Sequence, residues 1–358
     1  MSKYPELSLE HLLRLTDETG IIQHAKYHLP HRATGYTTDD NARALIAALQ
    51  VHLVTEQPEA LRLAENYLGF LHYAQLPSGQ FHNFMRYDRS WIDSVGSEDS
   101  FGRALWALGT ASAALAGKGS GVLAREMFLK AVPWVVRLKS PRSWAFSLIG
   151  IGKYLKVFNL ELPVKKAAAT VAQKLVAAYR REVTPKWRWF EDRLTYSNAI
   201  LPAALFEAYG HLNEPEMLAV AEESLSFLTG VLWQDNYFKL VGCHGWYVRG
   251  KKRALWDEQP EDASCLVLAY SQAYHVTGDF GYLNYAEAAM DWFYGRNANG
   301  LSLYDPATGG CHDGLTPKGV NGNQGAESVL AYLLSRLEIA TLTARTKEPA
   351  LVSGSDAN

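Results

Sequence analysis

Cysteine is scarce in this chain of 358 residues, with only Cys243, Cys265 and Cys311, too few for a disulfide framework. Nor do they show metal-ligand spacing. Cys243-His244 and Cys311-His312 are adjacent pairs without a CxxC or HxxxH pattern, so neither a metal site nor a nucleophilic cysteine is expected. Long apolar runs are missing too, and nothing approaches the roughly 18–20 residues that cross a bilayer. The opening MSKYPELSLEHLLRL lacks an uncharged apolar stretch and a small-residue cleavage site, which places the expected location in the cytoplasm. Basic tracts are short, the densest being Arg249-Gly-Lys-Lys-Arg253, and 35 Lys+Arg against 37 Asp+Glu leave a formal net charge of -2. That balance argues against a nucleic-acid binder. No Walker sequence occurs, and Gly150-Ile-Gly152 lies inside an apolar helical run, so no nucleotide cofactor, and no other, is expected.

Period-2 alternation is rare, which argues against sheets. Helical periodicity fills the chain and comes in two kinds. Segments at 42–54, 101–115, 144–155, 199–209, 263–274 and 326–340 are apolar almost all round, as helices buried on every side must be. Those at 59–75, 122–138, 163–181, 214–228 and 282–294, with a short one at 7–15, carry charge on one face and therefore have a solvent side. The two kinds alternate strictly, one pair every 45 to 65 residues or so, a degenerate repeat of helical hairpins. Six buried helices ringed by six amphipathic ones predict an all-α, single-domain (α/α)6 toroid over residues 1–344, with 345–358 as a disordered tail. Connections into the buried helices are long, such as 77–96, 234–259 and 295–324. Loops of that length are usually functional, so a site is expected where the buried helices begin.

The same pattern opens several of these helices. Thr38-Asp39-Asp40-Asn41-Ala42-Arg43 recurs loosely as Ser97-Glu98-Asp99-Ser100-Phe101-Gly102-Arg103, and Glu261-Asp262 and Glu327 open the fifth and sixth. Taken singly, each acid reads as a helix cap or a partner of the helix dipole. A cap needs one acid, however, and three starts carry adjacent pairs. In a closed ring the acids converge, and clustered carboxyls push one another's pKa values apart into acid and base. Arg43 and Arg103 lie one turn after Asp40 and Asp99 and are expected to keep those two ionised. Glu327 has no basic residue within a turn, which makes it the expected general acid. Aromatic residues, 12% of the chain, crowd the Gly-rich loops and offer faces for pyranose rings. The expected sugar-binding set is Tyr36, Arg43, His82, Arg103, Trp189, Glu191, His244, Trp246, Asp262 and Asp305.

These twelve alternating helices with acids at the inner starts resemble the six-hairpin glycosidase superfamily. Trp292-Phe-Tyr-Gly-Arg-Asn297 followed by Gly300-Leu-Ser is similar to the glycine-arginine-asparagine segment of endoglucanases with this fold. The Thr-Asp-Asp-Asn-Ala-Arg-Ala-Leu segment also resembles helical domains found beside bacterial glycosyltransferases. The resemblance implies that Asp39 and Asp40 serve the attacking water and that Glu327 protonates the leaving oxygen. The chain departs from those endoglucanases in lacking the histidine-rich segment that usually follows the arginine motif. The expected function is inverting hydrolysis of a glycosidic bond in an oligosaccharide, with Glu98 and Asp99 as the alternative acid and base. The alternatives are an epimerase using His82, His244 and His312, a phosphorylase or lyase, and a non-catalytic glycan-binding module serving a glycosyltransferase.

Overall fold

The computed structural model describes residues 3–347. Twelve α-helices run through them: α1 (Glu10–Leu15), α2 (Thr38–Thr55), α3 (Pro58–Ala74), α4 (Glu98–Ala114), α5 (Gly119–Val135), α6 (Pro141–Leu155), α7 (Leu162–Glu182), α8 (Ile200–Leu212), α9 (Pro215–Leu232), α10 (Pro260–Thr277), α11 (Gly281–Asp291) and α12 (Ala326–Lys347). Each even-numbered helix packs on the next, and α12 returns to α2. The result is a closed inner ring, wrapped by the odd-numbered helices. The all-round apolar character of the inner helices follows from this position. In α8 every residue from Ile200 to Ala208 is buried, because neighbours lie on both sides and the ring interior lies in front.

Glycine sets the tightest contact in the ring. A Cβ on Gly109 of α4 would lie 2.1 Å from the Gly150 carbonyl oxygen of α6, and one on Gly150 would lie 2.5 Å from the Trp106 Cα. Those two helices therefore meet backbone to backbone, closer than any side chain allows. Gly150-Ile-Gly152 is thus a packing feature.

Connections out of the inner helices are short, such as residues 56–57 and 213–214, whereas all but one of those leading in are long. The exception joins α5 to α6 through residues 136–140. The six two-stranded antiparallel sheets of the described residues all lie in the long connections, and two of them link different loops: Tyr36–Thr37 pairs with Phe84–Met85, and Arg193–Leu194 with Tyr247–Val248. The rim at the inner-helix starts is thereby laced together. Among the described residues no helix is long and apolar enough to cross a membrane. The tail expected at 345–358 lies outside the described residues from residue 348 onward, and α12 extends through Lys347.

Candidate active site

At the starts of α2, α4 and α6 the caps are hydroxyls, from Thr37, Ser97 and Ser140. The acids there are therefore left over for other work. Four of the acids at the inner starts meet two arginines. Arg43 Nη2 donates to Asp40 Oδ1 at 2.8 Å and stands 3.6 Å from Asp39 Oδ2, while its Nη1 reaches Glu261 Oε2 at 3.2 Å and Glu327 Oε2 at 3.1 Å. Arg103 Nε lies 2.8 Å from Asp39 Oδ1, and its Nη2 donates to Glu261 Oε1 at 2.7 Å. Ser197 Oγ donates to the same Glu261 oxygen at 2.9 Å. Helices α2, α4, α10 and α12 thus converge on one layer of charge. This corrects the local pairing expected from spacing: Arg103 turns away from Asp99 to Asp39 and Glu261, and Glu327 does have a basic neighbour, brought across the ring by α2.

The acids differ in protonation and access. Burial would raise Glu261, but the Arg103 and Arg43 guanidiniums and the bonds from Arg103 and Ser197 hold its pKa at about 2. Asp262 is pushed up to about 8 by burial and by the adjacent Glu261 charge. Glu327 is raised by burial among protein, against the pull of Arg43 and reinforced by the charges of Glu261, Asp40 and Asp39. Asp40 is also raised, by burial outweighing Arg43, so the guanidinium does not produce the depressed carboxyl that spacing alone implied. Asp40 is closed in, with its Oδ2 accepting from Thr37 Oγ1 at 2.7 Å and its side chain 5% exposed. The carboxyls that open outward are Asp39, with 29% of its side chain exposed, and Glu327, with 49%.

Other expected site residues are placed elsewhere. Glu98 Oε2 accepts from the backbone N–H of Lys139 and Ser140 at 2.8 and 2.7 Å, fastening the segment just ahead of α6 to the start of α4. Asp99 stands at the rim, bound by Tyr196 OH at 2.5 Å and Ser140 Oγ at 3.1 Å. Trp246 packs 6.3 Å from the Tyr196 ring, half-buried beside it. Trp189 and Tyr36 cannot present a stacking face. Trp189 is 0% exposed, set edge-on to Phe190, and Tyr36 is buried with its hydroxyl on Asp17 at 2.6 Å. His82 is stacked on Trp91 and bonded through Nδ1 to the Asp93 carbonyl at 2.7 Å. Glu191 pairs with Arg142 at 2.7 Å, and Asp305 accepts from Gln324 Nε2 at 2.8 Å, shaping its own loop. The segment resembling the endoglucanase motif is also structural here: Asn297 Nδ2 donates to the Trp292 and Leu301 carbonyls, both at 2.8 Å.

Several contributors escaped the sequence reading. His24, exposed just ahead of the short strand Ala25–Lys26, lies near Asp40, and Arg142 lies near Asp262. Arg142 opens α6 much as Arg43 and Arg103 follow the starts of α2 and α4, a register that could have flagged it. His24 carries no such signal. Glu258, fully buried with Oε2 accepting from Leu240 N and Trp292 Nε1, is pushed up to about 7 by burial. Beneath the arginines an axial cavity of about 30 Å³ is lined by Gln50, Trp106, Cys265 and Glu338, room for a water. One group at the rim has metal-ligand chemistry, Cys243 with His244 and Asp257. Among the described residues no third ligand gathers with Cys311 and His312, and the Cys311 sulfur is buried against the His312 carbonyl.

No family model matches the chain, and no curated protein matches its sequence. Its fold is shared with solved structures. Cellobiose 2-epimerase from Bacillus thermoamylovorans aligns with a TM-score of 0.74 at 12% identity, covering 94% of this chain and 96% of that one. A D-mannose isomerase aligns at 0.68 and 12% identity, covering 94% and 95%. An α-1,6-mannanase from a Salegentibacter species, an inactive variant with two adjacent aspartates changed to asparagine and bound to α-1,6-mannotriose, aligns at 0.62 and 14% identity, covering 93% and 96%. The chain has the (α/α)6 toroid fold of these carbohydrate enzymes.

Proposed function

We propose that this protein hydrolyses a glycosidic bond in an oligosaccharide, with Glu327 as general acid and Asp39 as general base. The observation that carries the reading is the pair of outward-facing carboxyls on one arginine layer, one of them raised in pKa. Glu327 has its pKa raised while half of its side chain is open, the combination a proton donor needs. Asp39, ion-paired to Arg103, is the acid beside it that a water molecule can reach. Asp40 and Glu261 are too enclosed for that and instead hold the arginines. In the reaction, Glu327 gives its proton to the leaving glycosidic oxygen as the C–O bond breaks. A water oxygen bonds to the anomeric carbon from the opposite face and yields its proton to Asp39. Inverting pairs stand about 6.5–9.5 Å apart, leaving room for the attacking water.

The adjacent aspartates of the inactive mannanase variant lend support, since this chain opens α2 with Asp39-Asp40. Phosphorolysis fits less well. Arg43 is occupied by carboxylates at both of its terminal nitrogens, and the surplus of acids over arginines would repel inorganic phosphate. A second reading, epimerisation of a reducing sugar, is supported by the structural likeness to a cellobiose 2-epimerase, with the exposed His24 as its candidate proton carrier.

The test compares wild type with Glu327→Gln on oligosaccharides including α-1,6-mannotriose and cellobiose, reading new reducing ends, proton-NMR epimer signals and binding. At least one glycan should be cleaved. The variant should lose about 10²–10⁴-fold in turnover while binding is kept. Equal turnover by both proteins, epimer signals without new reducing ends, or binding without any conversion would each overturn the hydrolase reading.

A further inference from the structure

We propose that Cys243, His244 and Asp257 form a site for a divalent transition-metal ion of the zinc type, with one coordination position open to solvent. A sulfur, an imidazole nitrogen and a carboxylate oxygen from these residues all lie within 4.8 Å of one another. His244 Nδ1 and Asp257 Oδ2 are 3.6 Å apart. Tetrahedral sites with bonds of about 2.0–2.3 Å have edges of about 3.3–3.8 Å, so this edge is already at length and the sulfur needs only a small side-chain rotation.

Neighbouring residues in an extended chain point apart, which is why Cys243-His244 did not read as a ligand pair. The backbone here is not extended. The Gly245 N–H donates to the Cys243 carbonyl at 3.0 Å, a three-residue turn centred on His244, and Gly245 and Trp246 follow with φ of 125° and 57°. The facing segment is stapled to this turn: Gly242 N donates to Ala254 O at 2.9 Å, Cys243 N to Asp257 O at 3.0 Å and His244 N to Trp256 O at 3.2 Å. A Cβ on Gly242 would lie 2.2 Å from the Trp256 backbone, so only glycine permits the approach that sets Cys243 beside Asp257. The ligands are held by backbone bonds before any ion arrives, which limits the ordering cost of binding.

The donor set selects the ion. Mg²⁺ and Ca²⁺ take oxygen ligands, whereas mixed sulfur, nitrogen and oxygen suits Zn²⁺ or Co²⁺. A His–Asp ion pair alone accounts for less. It would be worth little with the His244 side chain 75% exposed, and it gives the thiol no part. The position matters, because residues 233–259 lead into α10 and carry Trp246 against Tyr196. A bound ion would pin this rim loop, and its open position could take a hydroxyl or water. The proposal is independent of the hydrolase reading.

Tag-free, chelator-treated, full-length protein is titrated with Co²⁺ under a thiol-free reductant, following the thiolate-to-cobalt charge-transfer band and the visible d–d bands. One equivalent should saturate both, and one equivalent of Zn²⁺ should erase them. Cys243→Ser should abolish the charge-transfer band, Asp257→Asn should weaken binding about tenfold or more, and Cys265→Ser and Cys311→Ser should leave it intact. Circular dichroism verifies the fold of each variant. The proposal fails if wild type shows no charge-transfer band in a large excess of cobalt, or if folded Cys243→Ser keeps it.

Discussion

Replacing Arg43 by methionine keeps much of the side-chain volume but removes the charge that Asp40, Glu261 and Glu327 share at 2.8–3.2 Å and that Asp39 approaches at 3.6 Å. Among the described residues Arg103 would then be the one guanidinium still paired with this set, through Asp39 and Glu261. Breaking a buried ion pair by deleting one partner costs about 3–5 kcal/mol, because the abandoned charge stays desolvated, and with Arg43 2% exposed that range applies. A melting entropy of about 2.1 cal/mol/K per residue over 358 residues gives about 0.75 kcal/mol/K, so the melting temperature should fall by about 4–7 °C at pH 7.5. The pH dependence has a definite sign. Wild-type Glu261 sits at about 2 against an ordinary 4.5, so its stabilising contribution is full above 4.5 and is lost as pH falls toward 2. Without Arg43 the carboxyls titrate upward, and acidification relieves the variant first. The gap to wild type should therefore shrink by at least half (an order-of-magnitude expectation) between pH 7.5 and 5. Differential scanning calorimetry measures it, with Arg62→Met on the exposed side of α3 as a control that shifts by no more than about 1 °C. A gap below about 1 °C at pH 7.5, or one that widens on acidification, refutes the reasoning.

Other outcomes follow from the same structure. Glu98→Ala should cost about 1–2 kcal/mol by leaving the Lys139 and Ser140 N–H groups without their charged acceptor, visible in denaturant melts, with any glycan turnover kept. Asp262, at about 8, has its folded pKa raised above the ordinary 3.8, so the associated stability is present at low pH and lost as pH rises through 8. Asp262→Asn should accordingly melt close to wild type at about pH 4 and increasingly above it as pH rises from there to about 9. Gly150→Ala forces a methyl to 2.5 Å from the Trp106 Cα and should cost about 1–3 kcal/mol by pushing α4 and α6 apart, read as a lower urea midpoint.

What could be read from sequence was local. The inner helices were legible because a helix in the ring buries every face, as α8 does from Ile200 to Ala208, and the acids at their starts were legible because they lie within one turn of each other. The pairing of those acids was not, since it depends on which helix starts meet across the ring. Arg103 is one turn from Asp99 in sequence yet reaches Asp39 and Glu261, and Glu98 spends its carboxylate on the backbone of the segment leading into α6. Composition marked the loops as aromatic but could not grade depth, so Trp189 and Trp246 looked equivalent although Trp189 is sealed in the core. Cys243 and Asp257 are joined by loop hydrogen bonds that no residue spacing encodes.

The most direct test of the central claim is a crystal structure of Glu327→Gln with an oligosaccharide that wild type converts. The glycosidic oxygen should lie about 2.6–3.2 Å from the Gln side chain that replaces Glu327, with Asp39 and a water on the opposite face of the sugar ring. A glycan bound away from the arginine layer, or one whose glycosidic oxygen is out of reach of position 327, would contradict the account.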